Sequence, residues 1–247
     1  MSSNFDLMPS QFSPEGRIHQ VEYAEKAAQK SGTVIGLRGK DGVVLAVEKL
    51  LTSSLYEQDS GRRIFTINAN IGMAVAGLTA DGFAVAEKAR QEATNHHLQF
   101  GKPITINHMC DRIAAYMHAY TVFSSTRPFG LTVTLAGWDE IVGPQLFKID
   151  SSGVAAGYLA CASGLGEQKA SPLMKKYKFS DMPLDSLVQT AGSLIYQVHN
   201  ESSDKDFCFE MGLVGKDTDG LHCINPDIWI ALAVESGLRA NKPGYCG

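Results

Sequence analysis

The chain has 247 residues and a formal net charge of −4, with 44% hydrophobic and 19% charged residues. This composition is typical of a soluble globular protein with a sizeable core. The slight acidic balance excludes the basic surface that attracts nucleic acid or anionic membranes.

The cysteine pattern and the N-terminal residues indicate the cellular compartment in which the protein is expected. Five cysteines are scattered without a C-x-x-C pair, which supports neither a disulfide framework nor a zinc site and favours a reducing cytosolic or nuclear compartment. The start "MSSNFDLMPS" lacks the basic and apolar regions of a signal peptide. No apolar run is as long as a membrane span, so we expect an intracellular soluble protein.

The first third of the chain predicts a helix followed by two hairpins. Val21, Ala24 and Ala28 recur at helical spacing, and Gly32 is expected to stop that helix. Two β-rich runs then flank Lys40-Asp41-Gly42, which is a strong hairpin signal. The runs "RIFTI" and "IGMAVAGL" predict a second pair of strands around the polar turn "NAN".

Helix pairs and further strands are predicted to follow. We expect a helix over 81–99, which Gly101-Lys102-Pro103 ends, and a second helix capped by Asn107. The later predictions are strands in "LTVTLAGW", "PQLFKID" and "GVAAGYLACA", helices about 167–177 and 183–201, strands in "FCFEMGLVG" and "GLHCI", and a helix after Asn225-Pro226.

Hairpins in groups, separated by helix pairs, differ from the alternating pattern of a doubly wound parallel sheet. They predict an α+β fold in which two antiparallel sheets stack face to face under outer helices, a four-layer α/β/β/α sandwich. No low-complexity linker or repeat interrupts the chain, so residues 1–247 are predicted to form a single domain.

Common catalytic and cofactor motifs are incomplete. "GLGEQK" has Lys169 where the third glycine of a dinucleotide loop belongs, and "GLVGKD" ends in Asp217 where a phosphate loop needs Ser or Thr. His96 and His97 point to different faces of a helix, which is poor geometry for a shared metal ion. We therefore expect no metal and no cofactor. G-x-S-x-G is also absent, which leaves an α/β-hydrolase without support.

The pair Gly32-Thr33 at the head of the run "TVIGL" leaves one catalytic hypothesis open. A threonine freed at a chain start can act as a nucleophile with its own α-amine as the base. Inside an uncut chain the same threonine is only a good strand residue.

The segment "FDLMPSQFSPEGRIHQVEYAEKA", residues 5–27, resembles the N-terminal signature of proteasome alpha-type subunits. Further pieces similar to that family follow in the same order: "GKDGVVLAVEK", "GMAVAGLTAD", "HAYTVFSSTRPFG" and "FKIDSSGV". The resemblance extends to about residue 235. It implies the fold of N-terminal-nucleophile hydrolases, which agrees with the four-layer sandwich expected from the residues.

The register of that resemblance argues against catalysis. In catalytic beta-type relatives, an acid and a lysine follow the threonine by about sixteen and about thirty-two residues. Counted from Gly32, Glu48 occupies the acid position, and Arg63 lies one place before the lysine position. Counted from Thr33, the offsets fall on Lys49 and Phe65. The resemblance therefore implies that Gly32 occupies the nucleophile position and that the chain is not an enzyme, the alternative being a threonine hydrolase matured at Thr33.

By resemblance, alpha-type subunits form a seven-membered outer ring of the 20S core, stack on beta-type subunits and control substrate entry for ubiquitin-dependent protein degradation in cytoplasm and nucleus. Residues 1–12 would be a flexible gate tail, and 14–31 a turn and N-terminal helix. The gate-anchoring cluster maps to Phe5, Asp6, Pro14 and Tyr23. Phe5 lacks the hydroxyl of the usual tyrosine, so simple packing is an equal alternative for it.

Regulatory particle ATPases or other activators would insert C-terminal tails into pockets between alpha-type subunits. The family's pocket residues map to Arg63, Gly77 and Leu78. An arginine can bind a carboxylate bidentately, although an ordinary surface arginine is the alternative. Helix pairs would supply the interface with the beta ring. The helix 107–124 and the motif Arg127-Pro128-Phe129-Gly130 that follows it are interpreted as structural. The end of the chain, 238–247, departs from the acidic tail expected by resemblance and is predicted to be flexible.

Overall fold

In the computed structural model of the chain, residues 10–50, 55, 57, 61–199 and 207–240 are described. Within these ranges the strands form two sheets of five, and every strand pairing is antiparallel. The helices are α1 His19–Gln29, α2 Thr79–Phe100, α3 Ile106–Val122, α4 Glu167–Met174, α5 Leu184–Val198 and α6 Asp227–Ala240. The strands are β1 Val34–Arg38, β2 Gly42–Leu50, β3 Ile64–Asn68, β4 Ile71–Gly77, β5 Leu131–Asp139, β6 Gly143–Ile149, β7 Ala155–Gly157, β8 Ala160–Ser163, β9 Phe207–Gly215 and β10 Cys223–Ile224.

The two sheets lie face to face and share an apolar core. The first sheet has the strand order β10-β9-β2-β1-β8, and the second has the order β3-β4-β5-β6-β7. Side chains between them include Val34 and Leu45 from the first sheet and Ala74, Ala76 and Ala136 from the second. Stacked sheets bury one face of each strand, which explains why these runs are rich in β-branched and small apolar residues.

Helices cover both outer faces, which gives the predicted four layers. The apolar stripes of α2 and α3 pack on the second sheet, while α4, α5 and α6 cover the first. The crossing of α5 and α6 is close, because a Cβ built on Gly192 would lie 2.0 Å from the carbonyl oxygen of Ala233. The α+β sandwich expected from the sequence is confirmed.

The run "GVAAGYLACA", predicted as one stretch of strand, is two strands in different sheets. β7 pairs with β6 in the second sheet, and β8 pairs with β1 in the first. Between them the Tyr158 amide donates to the Leu146 carbonyl at 2.9 Å, and the Arg38 amide donates to the Leu159 carbonyl at 2.8 Å. The chain thus crosses from one sheet to the other at 158–159, because each residue bonds to a different sheet.

Several element boundaries differ from the predictions. α3 is capped by Thr105, whose hydroxyl accepts from the His108 amide at 3.4 Å, so the prediction of Asn107 as the cap was wrong. α1 ends at Gln29, before Gly32. α6 extends to Ala240, so the first three residues of the predicted tail 238–247 are helical, and the rest lies outside the described residues.

The predicted tail 1–12 also lies mostly outside the described residues. Its last three residues are exposed, and Phe12 is exposed to 63%. A turn then leads into α1: the Ser13 amide donates to the Arg17 carbonyl at 2.8 Å, and the Gly16 amide donates to the Ser13 carbonyl at 2.9 Å. Over the described ranges, no helix combines the length and the apolar character needed to cross a membrane.

Candidate functional site

Thr33 lies just before β1 and is buried, with 1% of its surface exposed. Its hydroxyl donates to Glu48 Oε2 at 2.6 Å, and its amide donates to the same oxygen at 3.0 Å. The Gly166 amide donates to the hydroxyl oxygen at 3.2 Å. The Thr33 hydroxyl is therefore held by two partners, and its nitrogen is an amide within the chain rather than a free amine.

Glu48 is the centre of this network and is itself only 3% exposed. Its second oxygen, Oε1, lies 2.5 Å from His199 Nδ1 at the end of α5. A buried carboxylate needs such partners, because burial without hydrogen bonds is costly. His199 was not singled out from the sequence, since nothing in the local pattern shows that it meets a residue 151 positions away.

A cavity of about 140 Å³ adjoins Thr33 and Glu48. Its apolar walls include Leu50, Leu165 and Val198. Chemically, the site contains a hydroxyl, a carboxylate and an imidazole, and Lys169 adds an ammonium group to the cavity wall. Thr33 itself lacks the free α-amine that a threonine nucleophile would use as its base, because its nitrogen is part of a peptide bond.

Gly32 has no room for a side chain. A Cβ at this position would lie 2.0 Å from the Glu48 carbonyl oxygen, a separation at which the backbone would have to shift. The residue before it is also fixed, because the Ser31 amide donates to the Ala28 carbonyl at 3.2 Å and the Leu165 amide donates to the Ser31 carbonyl at 2.9 Å. Close packing therefore continues from α1 through Gly32 to Thr33.

The second predicted site, at Arg63, Gly77 and Leu78, is brought together in the structure. Arg63 Nη1 donates to the Gly77 carbonyl at 2.9 Å. Gly77 has φ +135°, and a Cβ there would lie 2.2 Å from the Gly130 carbonyl oxygen. Leu78 is 47% exposed, and its amide donates to that same Gly130 oxygen at 3.0 Å. The site combines a guanidinium with an exposed apolar side chain.

Glu210 on β9 ties this site to the first sheet. Its carboxylate accepts from the Arg63 amide at 3.1 Å and from the Ile64 amide at 3.4 Å. Burial raises the pKa of Glu210 above its ordinary value, although these amides and nearby cations oppose the rise. Burial has the opposite effect on the cation: it lowers the pKa of Arg63, and the negative charge of Glu210 opposes this decrease. The guanidinium remains a cation at neutral pH.

An ion pair lies directly beside this site. Asp81 at the start of α2 accepts from both terminal nitrogens of Arg127, each at 2.7 Å, and from the Gly130 amide at 2.9 Å. Burial would raise the pKa of Asp81, but the bonds from Arg127 and Gly130 outweigh it, so the pKa is lowered. The sequence singled out the motif Arg127-Pro128-Phe129-Gly130, whereas its link to Asp81 appears only in the fold.

Two of the four predicted gate residues are described. Pro14 is exposed in the turn before α1, and Tyr23 on α1 is 43% exposed. The Tyr23 ring stacks on His19 with centroids 6.2 Å apart, and the Lys26 ammonium lies 5.5 Å from the Tyr23 ring centre. Phe5 and Asp6 lie outside the described residues.

Comparison with known proteins gives the family. Residues 28–214 match the model of the proteasome subunit family, and residues 5–27 match the N-terminal signature of proteasome A-type subunits. The chain belongs to the proteasome subunit family and, by that signature, to its alpha-type members. Alpha-type subunits are the non-catalytic outer-ring components of the 20S proteasome.

Within the alpha-type members, the chain is similar to relatives named as type-3 subunits. The chain is 59% identical to the alpha type-3 proteasome subunit of Drosophila melanogaster, over 98% of this chain and 95% of the relative. It is 41% identical to the type-3 subunit of Dictyostelium discoideum, over 92% and 91%. The probable alpha type-7 subunit of Saccharomyces cerevisiae is 35% identical, over 90% and 78%. The pieces Asp6-Leu7, "KLLTSSLYE" and "HAYT" also resemble the type-3 subunit.

Proposed function

We propose that the chain is a structural and gating subunit of the outer ring of the 20S proteasome core, where it controls substrate entry for protein degradation and docks regulators. The observation that carries this proposal is the alpha-type signature over residues 5–27, because it precedes a four-layer sandwich domain and ends inside α1. The chain would neighbour other alpha-type subunits in a seven-membered ring, contact beta-type subunits, and act in cytoplasm and nucleus.

We infer that Gly32 occupies the nucleophile position of the catalytic relatives. The inference is supported by the 2.0 Å separation between a Cβ on Gly32 and the Glu48 carbonyl oxygen, since a threonine would not fit there. The alternative enzyme, matured at Thr33, is opposed by the bonds that hold the Thr33 hydroxyl to Glu48 and Gly166. It would also require cutting a chain whose preceding residues are packed.

Gating is assigned to the tail 1–12 and to the anchoring residues Phe5, Asp6, Pro14 and Tyr23. Support comes from the exposure of Pro14 and Tyr23 on the turn and helix that follow the tail. Exposed rings and prolines beside a chain terminus are available to a neighbouring subunit. Phe5 would contribute packing without a hydroxyl hydrogen bond.

Regulator docking is assigned to Arg63, Gly77 and Leu78. Arg63 uses one guanidinium nitrogen on the Gly77 carbonyl, and an arginine carries five N–H donors in all. Further donors therefore suit the terminal carboxylate of an incoming tail, while the exposed Leu78 side chain suits an apolar residue beside that carboxylate. The contribution of a neighbouring subunit would complete the pocket.

Mass spectrometry tests the main proposal. Intact mass should show an N-terminus retained well ahead of Gly32, apart from ordinary removal of Met1, and native mass should show the chain in ring-sized assemblies with other alpha-type subunits. A stable monomer that binds no other alpha-type chain would contradict the proposal. A mature chain beginning at Thr33, with peptide hydrolysis lost in Thr33→Ala, would favour the enzyme instead.

A further inference from the structure

A continuous series of hydrogen bonds connects the Asp81–Arg127 ion pair to the proposed tail pocket. Asp81 accepts two bonds from Arg127 at 2.7 Å each and one from the Gly130 amide at 2.9 Å. The Gly130 carbonyl then accepts from the Leu78 amide at 3.0 Å. Gly130 is thus held on both sides, by Asp81 through its nitrogen and by Leu78 through its oxygen.

The two segments that meet here are packed without spare room. A Cβ on Gly77 would lie 2.2 Å from the Gly130 oxygen, and a Cβ on Gly130 would lie 2.9 Å from Leu78 Cδ1. A shift of Gly130 would therefore move the Gly77–Leu78 peptide. That shift reaches Arg63, whose Nη1 is held by the Gly77 carbonyl at 2.9 Å.

We propose that Asp81 is a positioning residue for the tail pocket. Acting through Gly130, it fixes the Gly77–Leu78 peptide and so aims the Arg63 guanidinium at an incoming chain terminus. Arg127 supports Asp81 from the solvent side, with 61% of its side chain exposed against 9% for Asp81. The ligand is a protein C-terminus with a free carboxylate for Arg63 and an apolar side chain for Leu78.

This inference rests on the proposed function of Arg63, Gly77 and Leu78. It adds that a carboxylate outside those three residues sets the affinity of the pocket. Charge-assisted hydrogen bonds are stronger than neutral ones, so removing the charge of Asp81 loosens Gly130 more than the small change in size would suggest.

The experiment measures peptide binding to the full-length chain in its assembled ring. The probe is a fluorescent peptide that ends in an apolar residue with a free carboxylate, and its C-terminally amidated form serves as the reference. Asp81→Asn preserves size and removes charge, and Arg127→Lys preserves charge and removes the two-bond contact. Glu92→Gln is the matched control, because it breaks the Lys88–Glu92 pair of 2.8 Å on the same helix.

Asp81→Asn should raise the dissociation constant of the free-carboxylate peptide about tenfold, the loss expected for one charge-assisted bond. Arg127→Lys should raise it by a smaller factor, of about three, and Glu92→Gln should leave it unchanged. Amide hydrogen exchange at Leu78 should speed up in Asp81→Asn, because the Gly130 carbonyl is no longer held in place.

The outcomes separate the two proposals. Equal binding of the free and amidated peptides by the unsubstituted ring would refute the pocket itself. A clear carboxylate preference that Asp81→Asn leaves intact would refute the positioning role alone, even if that variant unfolds at a lower temperature. Loss of the preference together with faster Leu78 exchange, and neither change in Glu92→Gln, would support it.

Discussion

His222 should make the stability of the chain fall steeply as the pH drops below neutral. The side chain is buried between the two sheets, and Cβ atoms built on Gly72 and Gly212 would lie only 2.0 Å and 2.9 Å from its Nε2. Its Nδ1 lies 2.9 Å from the Thr66 hydroxyl, whereas Nε2 has no hydrogen-bond partner among the described residues. Burial lowers the pKa of His222 from 6.5 to about 4.

The magnitude follows from the difference between folded and unfolded pKa values. The unfolded chain takes up a proton near pH 6.5, but the folded chain resists it until about pH 4. Each pKa unit corresponds to about 1.4 kcal/mol, so His222 should cost about 3 kcal/mol of unfolding free energy between these values. Above pH 6.5 the imidazole is neutral in both states and the free energy of unfolding is undiminished. As the pH falls from 6.5 towards 4, the free energy of unfolding decreases, because only the unfolded chain takes up the proton.

Chemical denaturation tests this at pH 7.5, 6.5, 5.5 and 4.5, with His222→Gln as the variant that cannot titrate. The stability difference between the unsubstituted chain and His222→Gln should shrink as the pH falls, because only the histidine loses stability by remaining neutral. His97→Gln is the control, since His97 is exposed. If His222→Gln keeps the full pH dependence of the unsubstituted chain, burial of this imidazole does not govern acid stability.

Three further predictions concern the buried network and the thiols. Gly32→Ala should lower the free energy of unfolding by about 1–3 kcal/mol because the added methyl group overpacks its site. Gly157→Ala is the control and should cost little, because a Cβ there would lie 3.4 Å from the nearest atom of Phe147. Equal losses for the two variants in denaturant titrations would contradict the steric argument. Glu48→Gln should lower the free energy of unfolding by about 1–3 kcal/mol, measured in the same way, and no loss would show that the contacts with Thr33 and His199 carry no stability. Among the four cysteines within the described ranges, iodoacetamide should alkylate the partly exposed Cys208 and Cys223 before the buried Cys110 and Cys161, because burial raises the pKa of Cys110 to about 12 and of Cys161 to about 11. Mass-mapped labelling of the buried pair ahead of the exposed pair would refute this.

Most elements could be predicted from the sequence because their signals are local. Apolar residues at helical spacing predicted α1 and α5, and Lys40-Asp41-Gly42 predicted the turn of the first hairpin. The cap of α3 was misplaced by two residues, because Thr105 and Asn107 are both residues that cap helices well. Only the hydrogen bond from the His108 amide distinguishes them.

The crossing at 158–159 could not be predicted in this way. The run "GVAAGYLACA" was predicted as one stretch of strand, and residue type contains no information on which sheet a strand joins. That choice depends on partners far along the chain, β6 for one half and β1 for the other.

The candidate sites divide similarly. The sequence placed Arg63, Gly77 and Leu78 in one site only through the resemblance, and the fold brings them together. The positions of Phe5 and Asp6 remain predictions. His199 and Asp81 were absent from the predicted sites, because their importance depends on bonds to residues 151 and 49 positions away.

The sequence by itself determined the family, through the signature over residues 5–27, and the order of helices and hairpins along the chain. The spacing between Gly32 and Glu48 also led to the inference that Gly32, and not Thr33, occupies the nucleophile position of the catalytic relatives. Only the tertiary structure decided that Glu48 contacts both Thr33 and His199. The same is true of Gly130, which donates to Asp81 through its amide and accepts from Leu78 through its carbonyl. The physical reason is that periodicity and turn chemistry act between near neighbours, whereas buried polar groups find partners only when distant segments pack together.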